Sequence, residues 1–238
     1  MDFEDKGIVI SIKRHGETSG ILELLTENHG RHLGLVRNFN SKTNRGVLQS
    51  GNTLHIRWKA RLSEHLGVFY FELLSSKSQV LINNKIALLV LQSMIKHLKL
   101  LPERQGYSQI FHATQDLLDI AGEKNKLIEM YIKWELFFLS ELGYGIDISE
   151  CAVTKAKNDL KYVSPKSRKA VVSKIGDPYK NKLLPLPSFL INDEIASIED
   201  LKKGLLLTGF FLKRDIYNPI ELKLSHFRDK LLDITNSL

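Results

Sequence analysis

The sequence has 238 residues, of which 43% are hydrophobic and 26% are charged, as in ordinary globular proteins. The one cysteine excludes an internal disulfide and fits a reducing compartment. The opening segment, MDFEDKGIVISIKRHGE, is acidic and lacks the apolar run of a signal peptide, and no window approaches the roughly 18 uncharged apolar residues of a membrane span. We therefore expect a cytoplasmic protein without membrane association.

The formal net charge of +7 is concentrated in two windows. Residues 13–61 carry nine Lys or Arg against three acids, and residues 155–182 carry nine against two. The rest of the chain is therefore acidic. Solubility alone does not require this segregation, and a basic zone favours a polyanionic partner, either nucleic acid or an anionic membrane surface.

The first eighty residues predict β structure. GIVISIKR has apolar residues at alternate positions, and SGILELLTENHG runs into RHLGLVRN across a turn. Residues 38–51, NFNSKTNRGVLQSG, predict a loop with basic residues at its centre. LHIRWKARL predicts a strand because its apolar residues alternate with His55, Arg57, Lys59 and Arg61. GVFYFELLSS supplies a fifth strand.

Five short strands with little room for a helix among them predict a small barrel over residues 1–79. An OB-fold is the first choice, because a partly open five-stranded barrel offers a face and loops to oligonucleotides. An SH3-like barrel is the alternative.

From residue 80 the apolar period becomes helical. KIALLVLQSMIKHLKLL and QGYSQIFHATQDLLDIAG predict helices, and LIEMYIKWELFFLSELGYG predicts a central, buried one. Residues 146–193 hold four of the six prolines and predict an irregular basic insertion. The tail returns to helix. The predicted fold class is α+β, with an OB-fold barrel over 1–79 and an α-helical domain over 80–238.

No motif of an active site is present. The phosphate-binding loop G-x-x-x-x-G-K-[ST], H-E-x-x-H, C-x-x-C and G-x-S-x-G are all missing from the sequence. Cys151 would need a positioned base to act as a nucleophile, and the sequence indicates none. We expect a protein that is not an enzyme and has no cofactor.

The basic residues of both windows are candidates for contacts with DNA phosphates. From the predicted strands and loops these are Lys13, Arg14, Lys42, Arg45, Arg57, Lys59 and Arg61, together with Lys166, Arg168 and Lys169 in the second window. Phe39 and Trp58 could stack on bases, although Trp58 shares the apolar phase of its strand and favours the core. Alternatively, the strand charges form only a solvated face that protects an edge, and the second window is a solvated insertion.

Several stretches together resemble the RecO family of bacterial DNA repair proteins. They are GIVISIKRHGETSGILELLTENHGRHLGLVRN, ELGYGIDISECAVTK, DLKYVSPKSRKAV, PYKNKLLPLPSFL and LLLTGFFLKR, which match in order over nearly the whole length. The resemblance implies that Arg37, after the pattern G-R-x-x-x-x-x-R, occupies a basic position of the barrel involved in DNA or partner contact. Arg31 follows from the same pattern.

The resemblance also implies a form without zinc. Many members of the family bind a structural zinc through two C-x-x-C pairs in the loop that here holds Cys151. Thr154 occupies the second position, and AVVSKIG, near the second pair, has no cysteine. One thiolate cannot complete a tetrahedral site, so we expect no metal.

For function, the resemblance implies a recombination mediator that binds single- and double-stranded DNA and anneals complementary strands. Its implied protein partners are RecR and the C-terminal tail of single-strand-binding protein, and it helps to load RecA. The alternative is a non-catalytic scaffold whose basic faces bind acidic protein tails, and this alternative predicts little affinity for bare DNA.

Overall fold

The fold is that of a computed structural model, which describes residues 1–62, 64–192 and 194–237. The chain divides into two compact units, Met1–Lys124 and Asn125–Leu238. The domain boundary after residue 79, which rests on the change of periodicity, stays a prediction. No helix in the described ranges has the length and apolarity needed to cross a membrane.

The first unit begins with a five-stranded barrel, which confirms the predicted α+β class. Its strands are β1 (Asp2–His15), β2 (Ser19–Thr26), β3 (Gly30–Val36), β4 (Thr53–Lys59) and β5 (Val68–Ser75). They pair in the order β1-β2-β3-β5-β4, and the long β1 pairs with both β2 and β4, so the sheet returns on itself. Only Leu35 and Val68 pair between β3 and β5, so the barrel is partly open there, as in an OB-fold.

Alternating apolar residues fill the barrel. On β4, Leu54, Ile56 and Trp58 are all buried, as their period of two predicts. The Trp58 Nε1 donates to the Leu66 carbonyl at 3.0 Å, which satisfies its one polar atom. Gly67 lies against this ring with φ +65°, and a Cβ there would approach Nε1 to 2.4 Å. Glycine at 67 is therefore required both by the backbone and by the packing of Trp58.

Two local predictions for the barrel are wrong. Residues 38–51 contain a short helix, α1 (Lys42–Val47), whose N-terminus is capped by the Ser41 hydroxyl. The side chain of Asn52 donates to the carbonyls of Gly46 and Val47 at the other end. In addition, β4 ends at Lys59, because its partner β1 begins at Asp2 opposite that residue. Arg61 therefore lies beyond the strand on which it was predicted.

Three helices complete the first unit: α2 (Ser78–Asn83), α3 (Lys85–Leu98) and α4 (Ser108–Asp119). The last two confirm the predicted helices. The Asn84 side chain caps α3 by accepting from the amides of Ile86 and Ala87. The Thr53 hydroxyl of β4 donates a hydrogen bond to the side-chain oxygen of Gln115 on α4 at 2.8 Å. This bond connects the helical segment to the barrel.

The second unit is built on α5 (Lys124–Glu141), α7 (Ile198–Phe211) and α8 (His226–Ser237). Tyr131, Ile132 and Phe138 of α5 are fully buried, which confirms the predicted central helix. Between these helices, the predicted irregular insertion contains a small sheet with the order β6-β8-β7-β9, while most of its residues lie outside the strands. Its strands are β6 (Asp147–Cys151), β7 (Leu160–Val163), β8 (Lys169–Val172) and β9 (Leu184–Pro185), and the short helix α6 (Ser173–Gly176) follows β8.

The strands of this sheet have two to five residues, which is too short for a clear alternating pattern. They are stabilised by burial of Val163 and Ala170 at the centre of the sheet. The sequence analysis missed this small sheet because prolines and lysines dominate the connections, whereas the strands themselves contribute few residues.

Candidate nucleic-acid interface

The β1–β2 turn and the β3–β4 connection meet at one end of the barrel. The Phe39 amide donates to the Thr18 carbonyl at 3.2 Å, and the Asn40 side chain donates to the Glu17 carbonyl at 3.4 Å. The ring of Phe39 covers Gly20, where a Cβ would lie 3.0 Å from its Cγ. These contacts hold two basic segments side by side.

Five exposed cations lie on these two segments: Lys13, Arg14, Arg37, Lys42 and Arg45. We call them the barrel-end basic surface. Lys13 and Arg14 lie in the last, turn-facing part of β1, just before its final residue. Arg37 directly follows β3, and Lys42 and Arg45 lie on α1. Within the described ranges, none of the five forms an ion pair with a carboxylate. Positive charge that is not neutralised by the protein remains available to phosphates.

Helix α1 holds its charges in fixed positions although it is short. Asn52 binds its last carbonyls, and the backbone of Asn52 and Gly51 is hydrogen-bonded to Val9 of β1 at 2.9 Å. The Gln49 side chain donates to the Arg45 carbonyl. The helix that sequence reasoning missed is thus the element that places two of the five cations.

Arg31, in contrast, lies in an internal ion-pair network. Its side chain is only 15% exposed; Nη1 donates to Glu23 at 2.7 Å, and Nε donates to the Leu101 carbonyl at 2.7 Å. Burial raises the pKa of Glu23, but hydrogen bonds from Ser11 and Arg31 and the charge of Lys99 outweigh it and leave that pKa lowered. Arg31 therefore links the barrel to the segment after α3, and we leave it out of the proposed DNA surface.

The predicted basic face of β4 is opposed by acids on β1. Arg57 Nε and Nη2 donate to the Asp2 carboxylate at 3.0 and 2.5 Å, and Lys59 lies 3.7 Å from the same group. Glu4 lies 3.9 Å from Arg57. Hydrogen bonding to Asp2 raises the pKa of Arg57, and the same bond lowers the pKa of Asp2. Arg57 and Lys59 are exposed, but their charge is locally balanced.

The two candidate stacking residues occupy different environments. Trp58 is 2% exposed and belongs to the barrel core, so its ring is not accessible to a base. Phe39 is partly buried and packs at the edge of the same core. Of the two, only Phe39 borders the barrel-end basic surface.

In the second basic window, the three predicted residues lie on the β7–β8 hairpin. Lys166 is exposed in the turn, and Lys169 lies 3.4 Å from Asp147. Arg168 lies 3.1 Å from Asp215 and above the Tyr144 ring, with 5.4 Å from its Cζ to the ring centroid. Two other lysines of the window are paired as well: Lys155 with Glu150 at 2.6 Å and Lys161 with Asp177 at 3.0 Å. The window is basic in sequence but partly neutralised in the fold.

Comparisons with known proteins identify the family. Residues 1–76 match the family model described as Recombination protein O N terminal, and residues 97–223 match Recombination protein O C terminal. A protein of Mesorhizobium japonicum named DNA repair protein RecO is 42% identical, over 92% of this chain and 87% of its own length. Proteins of the same name from Chelativorans sp. and Brucella abortus are 43% and 40% identical, each over 92% of this chain. The chain belongs to the RecO family.

Cys151 marks the place where the zinc loop of RecO proteins was expected. The residue is fully buried, at 0% exposure, and its amide donates to the Ala156 carbonyl at 2.8 Å. In the described part of the chain, no three His, Cys, Asp or Glu side chains are grouped as metal ligands. With Thr154 at the second position, the donor set does not fit a four-coordinate thiolate site.

Other interactions hold this loop together. The Tyr162 hydroxyl donates to Asp177 at 2.7 Å, and Arg214 donates to the Pro165 carbonyl and to Asp215. Sequence reasoning missed Arg214, which lies near the end of an apolar helical pattern. In the sequence, Arg214 stood out only as the last residue of LLLTGFFLKR, one of the stretches that resemble the family.

Proposed function

We propose that this chain is a non-catalytic recombination mediator that binds single- and double-stranded DNA through the barrel-end basic surface. The single observation that carries the proposal is that two hydrogen-bonded segments at one end of an OB-fold barrel carry five exposed cations, none of which has a carboxylate partner within the described ranges. Membership of a family whose relatives are named DNA repair proteins supports it.

This arrangement suits binding to the DNA backbone. Lysine and arginine neutralise phosphates and release counterions, which supplies affinity without choice of sequence. Phe39, at the border of this surface, can contribute an apolar contact to an unpaired base. Arg37 directly follows β3, on the segment that leads to α1. We expect binding to depend most on this residue.

Annealing of complementary strands follows from the same chemistry. Two strands repel each other through their phosphates, and a basic protein lowers that repulsion while base pairing supplies the driving force. Such a protein needs no nucleotide hydrolysis. We propose this activity in the cytoplasm, together with RecR and in support of RecA loading.

A groove in the second unit has the chemistry for the acidic tail of single-strand-binding protein. It encloses about 360 Å³, and its apolar wall is formed by Tyr162, Pro185 and Leu186. Lys161, Lys180 and Lys203 lie around that wall; Lys161 is paired with Asp177 and Lys203 with Asp200, so a tail carboxylate would compete with these acids. A tail that ends in an apolar residue and a free carboxylate could place its side chain on the wall and its charge among the lysines.

The competing function is that of a scaffold for acidic protein tails, which the lysine-lined groove alone would also serve. Titration of a fluorescent single-stranded oligonucleotide at several salt concentrations separates the two. We expect tight binding at low salt and a steep negative slope of log affinity against log salt. Absence of binding even at low salt would leave the scaffold as the function of this chain.

A further inference from the structure

A six-residue π-helix, Leu212–Tyr217, follows α7 and carries Arg214 and Asp215. π-Helical turns are rare and frequently lie at functional sites. Arg214 Nε and Nη2 donate to the two oxygens of Asp215 at 2.7 and 2.8 Å. Neighbouring residues of one helix rarely meet in this way, so the widened turn brings a guanidinium and a carboxylate of adjacent residues into a paired arrangement.

A second arginine reaches the same carboxylate from the β7–β8 hairpin. Arg168 Nη2 lies 3.1 Å from Asp215 Oδ1. Arg168 has φ +57°, which lets the turn that begins at Ser164 close with its amide donating to the Ser164 carbonyl at 2.9 Å. Because Arg214 also donates to the Pro165 carbonyl, the hairpin turn and the π-helix are held together. We call Arg168, Arg214 and Asp215 the arginine clamp.

The charges of the clamp do not balance. Burial raises the pKa of Asp215, but the hydrogen bonds from Arg214 and Arg168 outweigh it and leave the pKa lowered, so the carboxylate is ionised. Two guanidinium groups therefore share one negative charge. Their side chains are 32% and 34% exposed, whereas that of Asp215 is only 8% exposed. Solvent meets mainly the positive part of the clamp.

Donor capacity remains for a further anion. A guanidinium has five N–H groups, and within the described ranges Asp215 and the Pro165 carbonyl take up only part of those on Arg168 and Arg214. Lys166, in the hairpin turn, and Lys213, beside Arg214, are both exposed. Neither lysine forms an ion pair within the described ranges. Two partly exposed guanidiniums on one carboxylate, with Lys166 and Lys213 close to them in the sequence, supply the donors and the charge that phosphate oxygens require.

We propose that the arginine clamp, with Lys166 and Lys213, is a second phosphate-binding site for DNA, separate from the barrel-end basic surface. This inference rests on the proposed function, because it assigns DNA as the anion. The barrel-end surface lies in the first compact unit and the clamp lies in the second. One chain would thus hold two strands at once, as an annealing protein requires.

The number of short strands bound per chain tests this assignment. The full chain is titrated with an oligonucleotide of about ten nucleotides, within the site size of a single OB-fold. Its concentration is kept about threefold above the dissociation constant of the parent, so that a site weakened about tenfold stays largely empty. We expect two oligonucleotides per parent chain and one per chain in the double variant Arg168→Gln/Arg214→Gln. A barrel variant, Arg37→Gln/Arg45→Gln, should also bind one, at the clamp.

The arginine variant could lose its fold, because both side chains also hold the hairpin. A second variant, Lys166→Gln/Lys213→Gln, changes exposed side chains that form no ion pair with any described residue, and it should also reduce binding to one oligonucleotide. The matched control is Lys223→Gln/Lys230→Gln, which removes the same charge from exposed positions of the same unit and should retain two. Thermal melting of each variant shows which of them fold.

Each outcome decides between the proposals. Two oligonucleotides still bound by the lysine variant and by a folded Arg168→Gln/Arg214→Gln variant overturn the clamp as a DNA site. One oligonucleotide bound by the parent and none by the barrel variant overturns the second site but leaves the proposed function intact. No binding by the parent overturns the proposed function itself.

Discussion

The Asp2 carboxylate accepts two hydrogen bonds from Arg57, at 3.0 Å from Nε and 2.5 Å from Nη2. The two residues lie on adjacent strands, with Asp2 directly opposite Lys59 and Glu4 directly opposite Arg57. The acidic start of the chain is therefore part of the barrel and neutralises the one strand whose charge pattern is clearest in the sequence. Because the charges of Arg57 and Lys59 are paired with acids, we expect DNA to contact the barrel-end basic surface rather than β4.

The double variant Asp2→Asn/Glu4→Gln should bind single-stranded DNA more tightly than the parent. Removal of the two carboxylates leaves the charges of Arg57 and Lys59 without local partners, so phosphates can take their place. We expect an increase in affinity of about threefold at low salt, with a steeper salt dependence. Fluorescence anisotropy of a labelled oligonucleotide measures both.

The matched control for this variant is Glu199→Gln/Glu221→Gln, which removes two exposed acids from the second unit. It changes the net charge equally but leaves β4 unaltered. Equal gains in both variants would show that total charge alone is responsible. In the parent, Arg57→Gln should have a smaller effect than Arg37→Gln, because Arg57 is already paired.

Loss of Arg37 and Arg45 should weaken binding of single-stranded DNA on the order of tenfold at low salt. These two guanidiniums have no carboxylate partner within the described ranges, so their removal deletes phosphate contacts and leaves no acid unpaired. The log–log salt slope should become shallower by about 0.7 for each phosphate that the protein no longer neutralises. Lys85→Gln, at an exposed position on α3, is the control. An unchanged slope in Arg37→Gln/Arg45→Gln would contradict the barrel-end surface.

The barrel was predictable because its strands and turns are indicated by residue patterns within short stretches of the sequence. A period of two along β4 and the turn residues between strands indicate both the strands and the buried set, including Trp58. Helix α1 was not predictable in this way, since it depends on Asn52, a residue outside the helix, to bind its last carbonyls. The sheet of the second unit was missed for a similar reason: β6 pairs in parallel with β8, across about twenty intervening residues.

The candidate site was predictable only in part. Composition indicated which segments are basic, but not which charges are neutralised by the fold. Arg31 and Arg37 belong to the same sequence pattern, yet Arg31 lies in a network with Glu23, while Arg37 is exposed. The partner of Arg168, Asp215, lies 47 positions further along the chain, so only a fold could bring the two together.

Stability should fall on acidification because of His32. Its ring is 4% exposed, and neither ring nitrogen has a hydrogen-bond partner in the described structure. Burial, with smaller effects from the charges of Arg104 and His29, lowers its pKa from 6.5 to about 4. Between these values the unfolded chain binds the proton that the folded chain excludes, so stability decreases as the pH falls, by up to about 3 kcal/mol.

Substitution of His32 tests this cause. His32→Leu keeps an apolar side chain of similar size among Phe3, Trp58 and Phe69, the rings that surround His32. Urea unfolding between pH 6.5 and 4 should show a smaller loss of stability in the variant than in the parent. His55→Leu, which changes a half-exposed histidine on β4, should leave the loss unaltered. Parallel curves for parent and His32→Leu would rule out His32 as the source.

Chelation of metal should leave the melting temperature of the chain unchanged. Cys151 is buried without a second thiolate, and the loop around it is held by Tyr162–Asp177 and by the arginine clamp. The measurement is thermal melting with and without a strong chelator, together with metal analysis of the purified protein. Bound zinc in stoichiometric amount, with a lower melting temperature after its removal, would contradict the expected loss of the metal site.

The helical unit should depend strongly on one buried ion pair. Arg228 donates to the two oxygens of Glu135 at 2.7 and 2.9 Å and to the Thr208 hydroxyl at 2.7 Å, and all three side chains are buried. Arg228→Met should destabilise the fold by about 3–5 kcal/mol, because it leaves the buried Glu135 charge without its arginine counter-charge. Glu135→Gln/Arg228→Met removes both charges and should recover a large part of that loss. Urea unfolding of the two variants at neutral pH compares them, and equal destabilisation would show that packing of the arginine stem, rather than its charge, determines stability at this position.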